Sequence, residues 1–375
     1  MIHKMDKIVA SVLNVNEKLD CLVYVEDIGS GVALLEEKGV QINNIFPFIN
    51  AIAITADTSN ISSIAEQKSV EYISSQSNVF ALMNVSREIL GVDGTLDGEG
   101  VCICYIDTGI NPSLDFCLSD KRILKFVDLI NYNVFPYDDN GHGTFVAGVG
   151  SGSGLVSNGR YAGIARKSDI ISIKALGANG EANANKILEA MQWVYDNKQK
   201  YNIKVVCMSF GSEPLGENDP IMRGANKLWQ SGLVVVAAAG NSGPEYETIK
   251  SPGISPSIIT VGGFDDNRLT PDTYNPAFFE IAEFSSRGPA LGGFKPDFVA
   301  PAVDITSCGV KEFYTKLSGT SVATPMIAGL SALMLQENAS LSPDEIKKKL
   351  KGLSKPIVFN RNKEGWGRPQ LKPNL

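Results

Sequence analysis

The sequence predicts an α/β protein, a doubly wound parallel sheet with helices on both faces, preceded by a small α+β domain. Three observations support this. From about residue 85, short apolar runs alternate with segments of helical periodicity, as in parallel strands joined by helices. Leu233 to Ala239 is apolar without alternation, which is typical of a strand buried on both faces. Residues 1–80 follow a different order of elements and are assigned to a separate domain, with residues 81–375 as the larger one.

The smaller domain follows the order β-α-β-β-α-β. Its predicted strands are residues 21–25, 41–46, 51–54 and 70–73, and its predicted helices are residues 29–39 and 57–68. Apolar alternation marks the strands, and Asp57 or Thr58 is suited to cap the second helix. The order is that of a ferredoxin-like sandwich. The segment from Ser74 to Asn84 lacks periodicity and is predicted to be a linker.

The larger domain shows the strand–helix alternation most clearly. Its predicted strands are residues 101–106, 170–175, 205–209 and 233–239. One helix is predicted from Asn183, and another from Asp219 to Gln230, where Asp219 can cap the helix and Pro220 can occupy its first turn. In such a sheet, the loops after the carboxyl ends of the strands are where binding and catalysis are expected.

Composition argues against two classes of partner. The formal net charge is −7 and no dense Lys/Arg face is visible, so nucleic acid is not expected as a partner. The run Lys347–Lys349 follows Asp344 and Glu345, an arrangement that complements a helix dipole rather than forming a binding patch. No apolar stretch of about 18 residues occurs, and polar residues interrupt the first residues before any long apolar run, so neither a membrane span nor a signal peptide is predicted.

The six cysteines indicate a reducing compartment. They show no C-x-x-C spacing, and Cys102 and Cys104 alternate with apolar residues in a predicted buried strand. Buried reduced thiols are therefore expected. The chain has only two histidines, neither of them near paired cysteines, so no metal ligands are predicted. A cytoplasmic location is the expectation, with export by a route that needs no signal peptide left open.

Four polar residues stand in motifs rich in small residues. Ser321 begins an apolar helix, Asp107 ends a buried strand, His142 lies between two glycines, and Asn241 follows the strand at residues 233–239. A serine hydroxyl becomes a good nucleophile when a histidine accepts its proton, and a carboxylate fixes the tautomer of that histidine. The Asn241 side chain and the Ser321 N–H can stabilise an oxyanion. Together the four residues predict nucleophilic catalysis by serine.

Each motif also has a simpler interpretation. Ser321 can be only a helix N-cap, the residues after Asp107 only a turn, and the glycines around His142 only a flexible loop. Gly240–Pro244 is by itself good turn chemistry. The joint occurrence of the motifs favours catalysis. His142 is the one suitable base, because the other histidine, His3, lies at the N-terminus.

The order Asp, His, Asn, Ser with these flanks resembles the subtilisin-like serine proteases, or subtilases. The resemblance extends over about residues 101–369, and within the family it is nearest to the bacterial, intracellular AprX-like branch. It implies a subtilisin-like fold and a serine endopeptidase. Asp107 would orient His142, which would act as general base and then acid, and Ser321 would form the acyl-enzyme. Asn241 would stabilise the oxyanion.

The resemblance also implies a cleft that holds an extended peptide between two strands. One wall of the first specificity pocket is matched by Ser209, Phe210 and Gly211, and another wall by Ala238, Ala239 and Gly240. The opposite edge strand is matched by the segment from Leu176 to Ala182, with Leu176, Gly177 and Gly180 as the substrate-binding residues. Glu181 would approach the fourth substrate side chain, although a solvated edge glutamate is the simpler interpretation.

Three departures from the family pattern matter. Val322 stands where many relatives have an oxidisable methionine. Ser113 stands where calcium-binding relatives have an aspartate, and residues 151–160 lack acidic side chains, so the usual strong calcium site is expected to be absent. No cofactor is expected to be required, while weaker calcium binding is left open. The bend near the pocket is formed by residues 251–253, Ser-Pro-Gly, which leaves the primary specificity open.

The smaller domain resembles the subtilase propeptide, which assists folding and then inhibits the enzyme by placing its tail in the cleft. Self-cleavage is therefore expected between about Asn78 and Asn84, with Leu82 or Met83 as acyl donor. The alternative is a permanently attached regulatory domain. The expected partners are polypeptide substrates and the N-terminal domain as an intramolecular inhibitor. Two other functions stay open: a non-catalytic binding protein on the same scaffold, and a narrow-specificity protease that processes one precursor.

Overall fold

The computed structural model describes residues 4–5, 9, 18–47, 50–75, 83–117, 122–268, 274–291 and 293–371. The chain divides into two compact units, Met1–Val79 and Phe80–Leu375, and each has its own buried apolar core. None of the helices in the described part of the chain has the length and apolar character needed to cross a bilayer.

The smaller unit is a four-stranded antiparallel sheet with two helices. Its elements are β1 (Lys18–Val25), α1 (Ile28–Glu37), β2 (Gln41–Phe46), β3 (Ala51–Asp57), α2 (Thr58–Ala65) and β4 (Val70–Ser75). The strand order across the sheet is β2-β3-β1-β4, which is that of a ferredoxin-like sandwich. Cys21, Val23 and Val25 alternate along β1 and are fully buried, so one face of the sheet carries the core. The predicted order of elements is confirmed.

The larger unit is built on a mostly parallel eight-stranded sheet. Its strands are β5 (Cys102–Asp107), β6 (Ile123–Asp128), β7 (Asp169–Lys174), β8 (Ile203–Met208), β9 (Val234–Ala238), β10 (Ile259–Asp265), β11 (Glu280–Ile281) and β12 (Phe298–Pro301). The order is β6-β7-β5-β8-β9-β10, and β11 and β12 both pair with β10. The chain leaves β5 for the edge at β6 and later adds β8 on the other side of β5. The order therefore changes direction at β5, where open α/β sheets usually bind ligands.

The larger unit also contains α-helices, several of which pack on the sheet. They are α3 (Met83–Ile89), α4 (Leu114–Cys117), α5 (His142–Ser151), α6 (Ala184–Asn197), α7 (Pro220–Gln230), α8 (Thr320–Glu337), α9 (Pro343–Gly352) and α10 (Arg361–Glu364). The helix α5 packs against α8, and α6 packs against α7. Every residue of β5 and β9 is buried, which requires cover on both faces of the sheet. The predicted doubly wound α/β fold is confirmed.

Two short strand pairs complete the larger unit. The strands β13 (Ile305–Cys308) and β14 (Tyr314–Leu317) form a hairpin that leads into α8, and β15 (Ser354–Lys355) pairs with β16 (Arg368–Pro369).

The predicted linker from Ser74 to Asn84 differs in part from the structure. Ser74 belongs to β4, and Met83 and Asn84 begin α3. A helix of seven residues is too short to show a helical period, so the sequence pattern does not indicate it. The predicted cut region from Asn78 to Asn84 lies mostly outside the described residues, and Leu82 lies among those not described.

Candidate active site

The candidate site lies at one edge of the parallel sheet. Asp107 is the last residue of β5, Ser209 follows β8, and Asn241 lies shortly after β9. Because these three strands are parallel, their carboxyl ends meet at the same edge. His142 is the first residue of α5 and Ser321 is the second residue of α8, and these two helices pack against each other. The fold therefore brings the first turns of two helices toward the strand ends.

Asp107 and His142 are in direct contact. The His142 Nδ1 atom lies 2.7 Å from Asp107 Oδ1, which also accepts a hydrogen bond from the Thr108 N–H at 2.7 Å. The Asp107 side chain is 1% exposed and that of His142 is 26% exposed. A carboxylate that accepts from Nδ1 keeps the proton on that nitrogen and leaves Nε2 as the basic atom. Gly143 allows this approach, because a Cβ there would overlap the Gly109 carbonyl oxygen.

Asp138 joins the loop before His142 to the turn after Asp107. Asp138 Oδ1 accepts from Thr108 Oγ1 at 2.9 Å and from the Gly141 N–H at 2.8 Å, and its Oδ2 accepts from the Thr144 N–H at 2.8 Å. Burial raises the pKa of this carboxyl, but the hydrogen bonds together lower the pKa by more than burial raises it. The pKa of Asp138 therefore lies below the ordinary value of 3.8. The charged carboxylate thus holds the first turn of α5 in place.

Lys174, at the end of β7, braces the same region. Its fully buried ammonium donates to the carbonyl oxygens of Thr108 at 2.7 Å and Leu176 at 3.0 Å, and it pairs with Asp139 at 2.6 Å. A buried charge is tolerated when it is paired and hydrogen-bonded in this way. One amine therefore links the turn after Asp107, the segment that follows β7 and the loop before His142.

Thr320 orients the Asn241 side chain. Asn241 Oδ1 accepts from the Thr320 N–H and from Thr320 Oγ1, both at 2.9 Å. Because a backbone N–H can only donate, the atom that faces it must be the amide oxygen, and Nδ2 is left as the donor side of the amide. Thr320 Oγ1 accepts in turn from the Gly240 N–H at 3.2 Å, which ties Asn241 to the end of β9.

Ser321 and Asn241 both lie beside Gly319. A Cβ on Gly319, where φ is 152°, would lie 3.2 Å from Ser321 Oγ and 3.3 Å from Asn241 Nδ2. The N-cap of α8 is Gly319, so the interpretation of Ser321 as an N-cap is wrong. Ser321 is half-buried, and its N–H belongs to the first turn, where a helix supplies no acceptor. A hydroxyl, an amide NH₂ and a backbone N–H thus lie close together, as an oxyanion site requires.

His142 also borders a cleft of about 490 Å³. Asn140, Val310 and Leu317 contribute to its other walls. Leu317 is the last residue of β14, which leads directly to Gly319 and the first turn of α8. The cleft therefore extends from His142 along the hairpin that precedes Ser321.

The two expected pocket walls lie at the same sheet edge. Ser209, Phe210 and Gly211 follow β8 and belong to no strand, while Ala238 ends β9 and precedes Ala239 and Gly240. Ser209 is buried, and Phe210 is partly buried against the core. The ends of the neighbouring parallel strands β8 and β9 thus supply both groups of residues.

The expected edge strand from Leu176 to Ala182 is a turn in the structure. The Leu176 N–H donates to the Asp107 carbonyl oxygen at 3.1 Å, and the Gly177 N–H donates to the Glu181 carbonyl oxygen at 2.9 Å, which closes the turn. Glycines at 177 and 180 favour a turn over a strand, and φ of Gly180 is 77°. Asn140 Nδ2 donates to the Ala178 carbonyl oxygen at 2.8 Å and attaches the turn to the loop before His142. The Glu181 side chain is exposed.

The sequence motifs do not reveal three residues of this network: Asp138, Lys174 and Thr320. Asp138 and Thr320 stand within a few residues of His142 and Ser321, so a search for polar neighbours of each motif would have found them. Lys174 gives a different signal, because a lysine at the end of an otherwise apolar predicted strand needs a buried partner.

Comparison with known proteins gives a consistent result. The sequence profile of the subtilase family matches residues 98–367. The serine protease AprX of Bacillus subtilis (strain 168) is 37% identical over 352 residues, which cover 86% of this chain and 78% of AprX. Subtilisin E of the same organism is 28% identical over 328 residues, covering 84% of this chain and 78% of subtilisin E. A crystal structure of a cold-adapted subtilisin-like serine proteinase has a TM-score of 0.63 at 27% identity, and covers 79% of this chain and 100% of its own.

Proposed function

This chain belongs to the subtilase family of serine endopeptidases, and we therefore propose that it cleaves extended polypeptides through an acyl-enzyme on Ser321. His142 Nε2 accepts the hydroxyl proton as Ser321 Oγ bonds to the carbonyl carbon, and it then passes that proton to the leaving amine. Water, deprotonated by the same nitrogen, hydrolyses the ester. The observation that carries the proposal is the 2.7 Å contact between His142 Nδ1 and Asp107 Oδ1. His142 begins α5, and this helix packs against α8, the helix that carries Ser321.

Two donors are proposed to stabilise the tetrahedral oxyanion: the Asn241 Nδ2 amide and the Ser321 N–H. The orientation of Asn241 supports this, because both hydrogen bonds from Thr320 are made to its oxygen. The nitrogen then faces away from Thr320 without any rearrangement during the reaction. Donors that are oriented in advance are the most effective ones for a charge that develops only in the transition state.

The substrate is proposed to lie extended between residues 209–211 and the turn that begins at Leu176. Both segments lie outside the strands of the sheet, at the edge that carries Asp107. A broad endopeptidase hydrolyses an unstructured protein such as casein at many positions, whereas the alternative, a protease dedicated to one precursor, leaves casein intact. Mass spectrometry of the casein products separates these two functions.

The activity is expected to fall as the pH decreases through a value above 6.5. Burial lowers the pKa of His142, but the charge and hydrogen bond of Asp107 and the charge of Asp138 outweigh burial, so the pKa lies above its ordinary value of 6.5. Only the neutral imidazole can accept the serine proton, so activity is lost when His142 is protonated. The pH profile of kcat/KM tests this. An acidic limb centred at or below 6.5 would contradict the proposed environment of His142.

The N-terminal unit is proposed to act as an intramolecular inhibitor that the enzyme removes itself. Support comes from its ferredoxin-like order and from the resemblance to subtilase propeptides. Intact-mass measurement of the purified wild type is expected to show two fragments, produced by one cut between about residues 78 and 84. The Ser321→Ala variant should stay uncut. A wild type that stays whole but hydrolyses peptides would instead indicate a permanently attached regulatory domain.

Calcium is proposed not to be required. Ser113 and residues 151–160 offer no carboxylate, but Asp115 is a buried carboxylate beside this loop. Its Oδ1 accepts from the Val156 N–H at 3.0 Å, and its Oδ2 accepts from the Tyr314 hydroxyl at 2.6 Å. Hydrogen-bond donors surround these oxygens, and a cation would have to displace them. Within the described residues, no group of three or more His, Cys, Asp and Glu side chains is arranged to hold a metal.

Chelation is therefore expected to leave the thermal stability almost unchanged. Excess EDTA should lower Tm by less than about 2 °C. A shift of this size corresponds to a change of under about 1 kcal/mol in the free energy of unfolding. As a control, Asp115→Asn should lower Tm equally with and without EDTA, because it weakens hydrogen bonds and not a metal site. A large fall in Tm that added calcium reverses would show that a bound calcium ion contributes to stability.

The cytoplasm is proposed as the compartment. None of the six cysteines forms a disulfide, and five of them are buried. Burial raises the pKa of Cys104 and Cys207, which makes these thiols unreactive. Thiols are alkylated in intact cells before lysis and again after the protein is denatured without a reductant. All six cysteines should then carry the alkyl group, and none should be in a disulfide.

A further inference from the structure

Lys250 lies between the two proposed walls of the first pocket. A Cβ on Gly211 would lie 2.6 Å from Lys250 Cβ, and a Cβ on Gly240 would lie 2.5 Å from Lys250 Cγ. The first two methylene groups of Lys250 therefore touch both walls, and only residues without a side chain leave room for them. We infer that Lys250 is the specificity-determining residue at the base of this pocket, which accepts short or acidic side chains and rejects large or basic ones. The inference rests on the proposed peptidase function.

The backbone of Lys250 is attached to both walls. Its N–H donates to the Ala239 carbonyl oxygen at 2.9 Å, and the next residue, Ser251, exchanges two hydrogen bonds of 2.9 Å with Ser212. The Ser251 hydroxyl donates further to Asp219 at 2.6 Å. Because these bonds fix the position of the Cα atom, the Lys250 side chain cannot leave the pocket base by a simple shift of its loop.

The environment of the side chain indicates which substrates fit. The Lys250 side chain is 19% exposed, so its methylene groups fill space that a long substrate side chain would need. Its ammonium pairs with Glu213, whose side chain is 82% exposed. An exposed partner is held weakly and can be replaced by a substrate carboxylate at little cost. A substrate ammonium, in contrast, would face a charge of the same sign.

The test compares four peptides that differ only in the residue before the cleaved bond: alanine, glutamate, phenylalanine or lysine. The wild type should cleave the alanine and glutamate peptides at least about tenfold better in kcat/KM than the other two. Lys250→Gly should open the pocket and raise kcat/KM for phenylalanine by about tenfold or more relative to alanine. The matched control, Lys250→Met, keeps the length and removes the charge, so it should lose the preference for glutamate while phenylalanine stays poor.

The outcomes separate this inference from the proposed function. Each variant is first labelled at its active serine with a fluorophosphonate, which reports a folded and competent site. A labelled Lys250→Gly enzyme with the same phenylalanine-to-alanine ratio as the wild type would overturn the role of Lys250 alone. Absence of both labelling and hydrolysis in the wild type would overturn the proposed function, and this inference with it.

Discussion

Ser321→Ala is expected to lower kcat for peptide hydrolysis by about 10⁶-fold, the size known for the corresponding change in another member of the family. The alanine variant has no atom that can form the ester, while Asp107, His142 and Asn241 keep their contacts. The fold should stay intact, because Ser321 is only half-buried and is not the N-cap of α8. Hydrolysis of a fluorogenic peptide, together with a thermal unfolding curve, measures both effects.

The matched control for this prediction is His142→Ala, alone and combined with Ser321→Ala. Because the nucleophile and its base act as a unit, the double variant should be no worse than either single one. Activity of Ser321→Ala close to that of the wild type would exclude Ser321 as the nucleophile. Losses that multiply in the double variant would show that His142 acts in some other way.

Asn241→Ala is expected to lower kcat by about 10²–10³-fold with a much smaller change in KM, a range also known from this family. The reason is that Asn241 Nδ2 is proposed to donate to a charge present only in the transition state. Removal of this donor therefore affects the chemical step more than the binding of the substrate. Steady-state kinetics with one peptide give both parameters. A rise in KM with kcat unchanged would contradict the assignment.

Thr320 provides a graded version of the same test. Thr320→Val removes the hydroxyl that donates to Asn241 Oδ1 but keeps the Thr320 N–H bond to the same oxygen. The expected loss in kcat is about tenfold, the equivalent of one hydrogen bond. Thr320→Ser keeps the hydroxyl and should retain most of the activity. In an Asn241→Ala background, Thr320→Val should have little further effect, because the side chain that it orients is gone.

The sequence predicts the fold well because the fold rests on local patterns, while the catalytic roles of the four motif residues stay predictions. Strand–helix alternation and an unbroken apolar strand indicate a doubly wound sheet, and a sheet of this kind brings strand ends to one edge. The positions of Asp107 and Asn241 follow from that rule alone. The contact between Asp107 and His142 needs, in addition, the close approach of α5 to β5 that Gly143 allows.

The contacts of the supporting residues escape prediction because the two partners lie far apart in the chain. Lys174 contacts Asp139, and Asn241 contacts Thr320, across separations that no periodicity encodes. The same holds for Lys347, which the sequence pattern assigns to a helix-dipole arrangement. In the structure, its ammonium lies 2.9 Å from Asp297 Oδ1 and also donates to three consecutive carbonyl oxygens, those of residues 256–258. It thus helps to hold the segment that follows the pocket base.

The segment from Leu176 to Ala182 shows a different limit. Resemblance to the family predicts an edge strand, but a strand at an edge is defined by its partner. In the structure, the glycines at 177 and 180 fold the segment into a turn that closes on itself. The proposed pairing of this segment with a substrate would therefore be a property of the complex rather than of this sequence by itself.

Catalysis by Ser321 is tested most simply by labelling the wild type with a fluorophosphonate and locating the label by mass spectrometry. The reagent forms an Oγ–P bond, with loss of fluoride, only at a serine that a neighbouring base activates. We expect one label per chain, on Ser321, lost in Ser321→Ala and strongly reduced in His142→Ala. A folded wild type that takes up no label, as expected of a non-catalytic binding protein on the same scaffold, or one labelled at another serine, would contradict catalysis by Ser321.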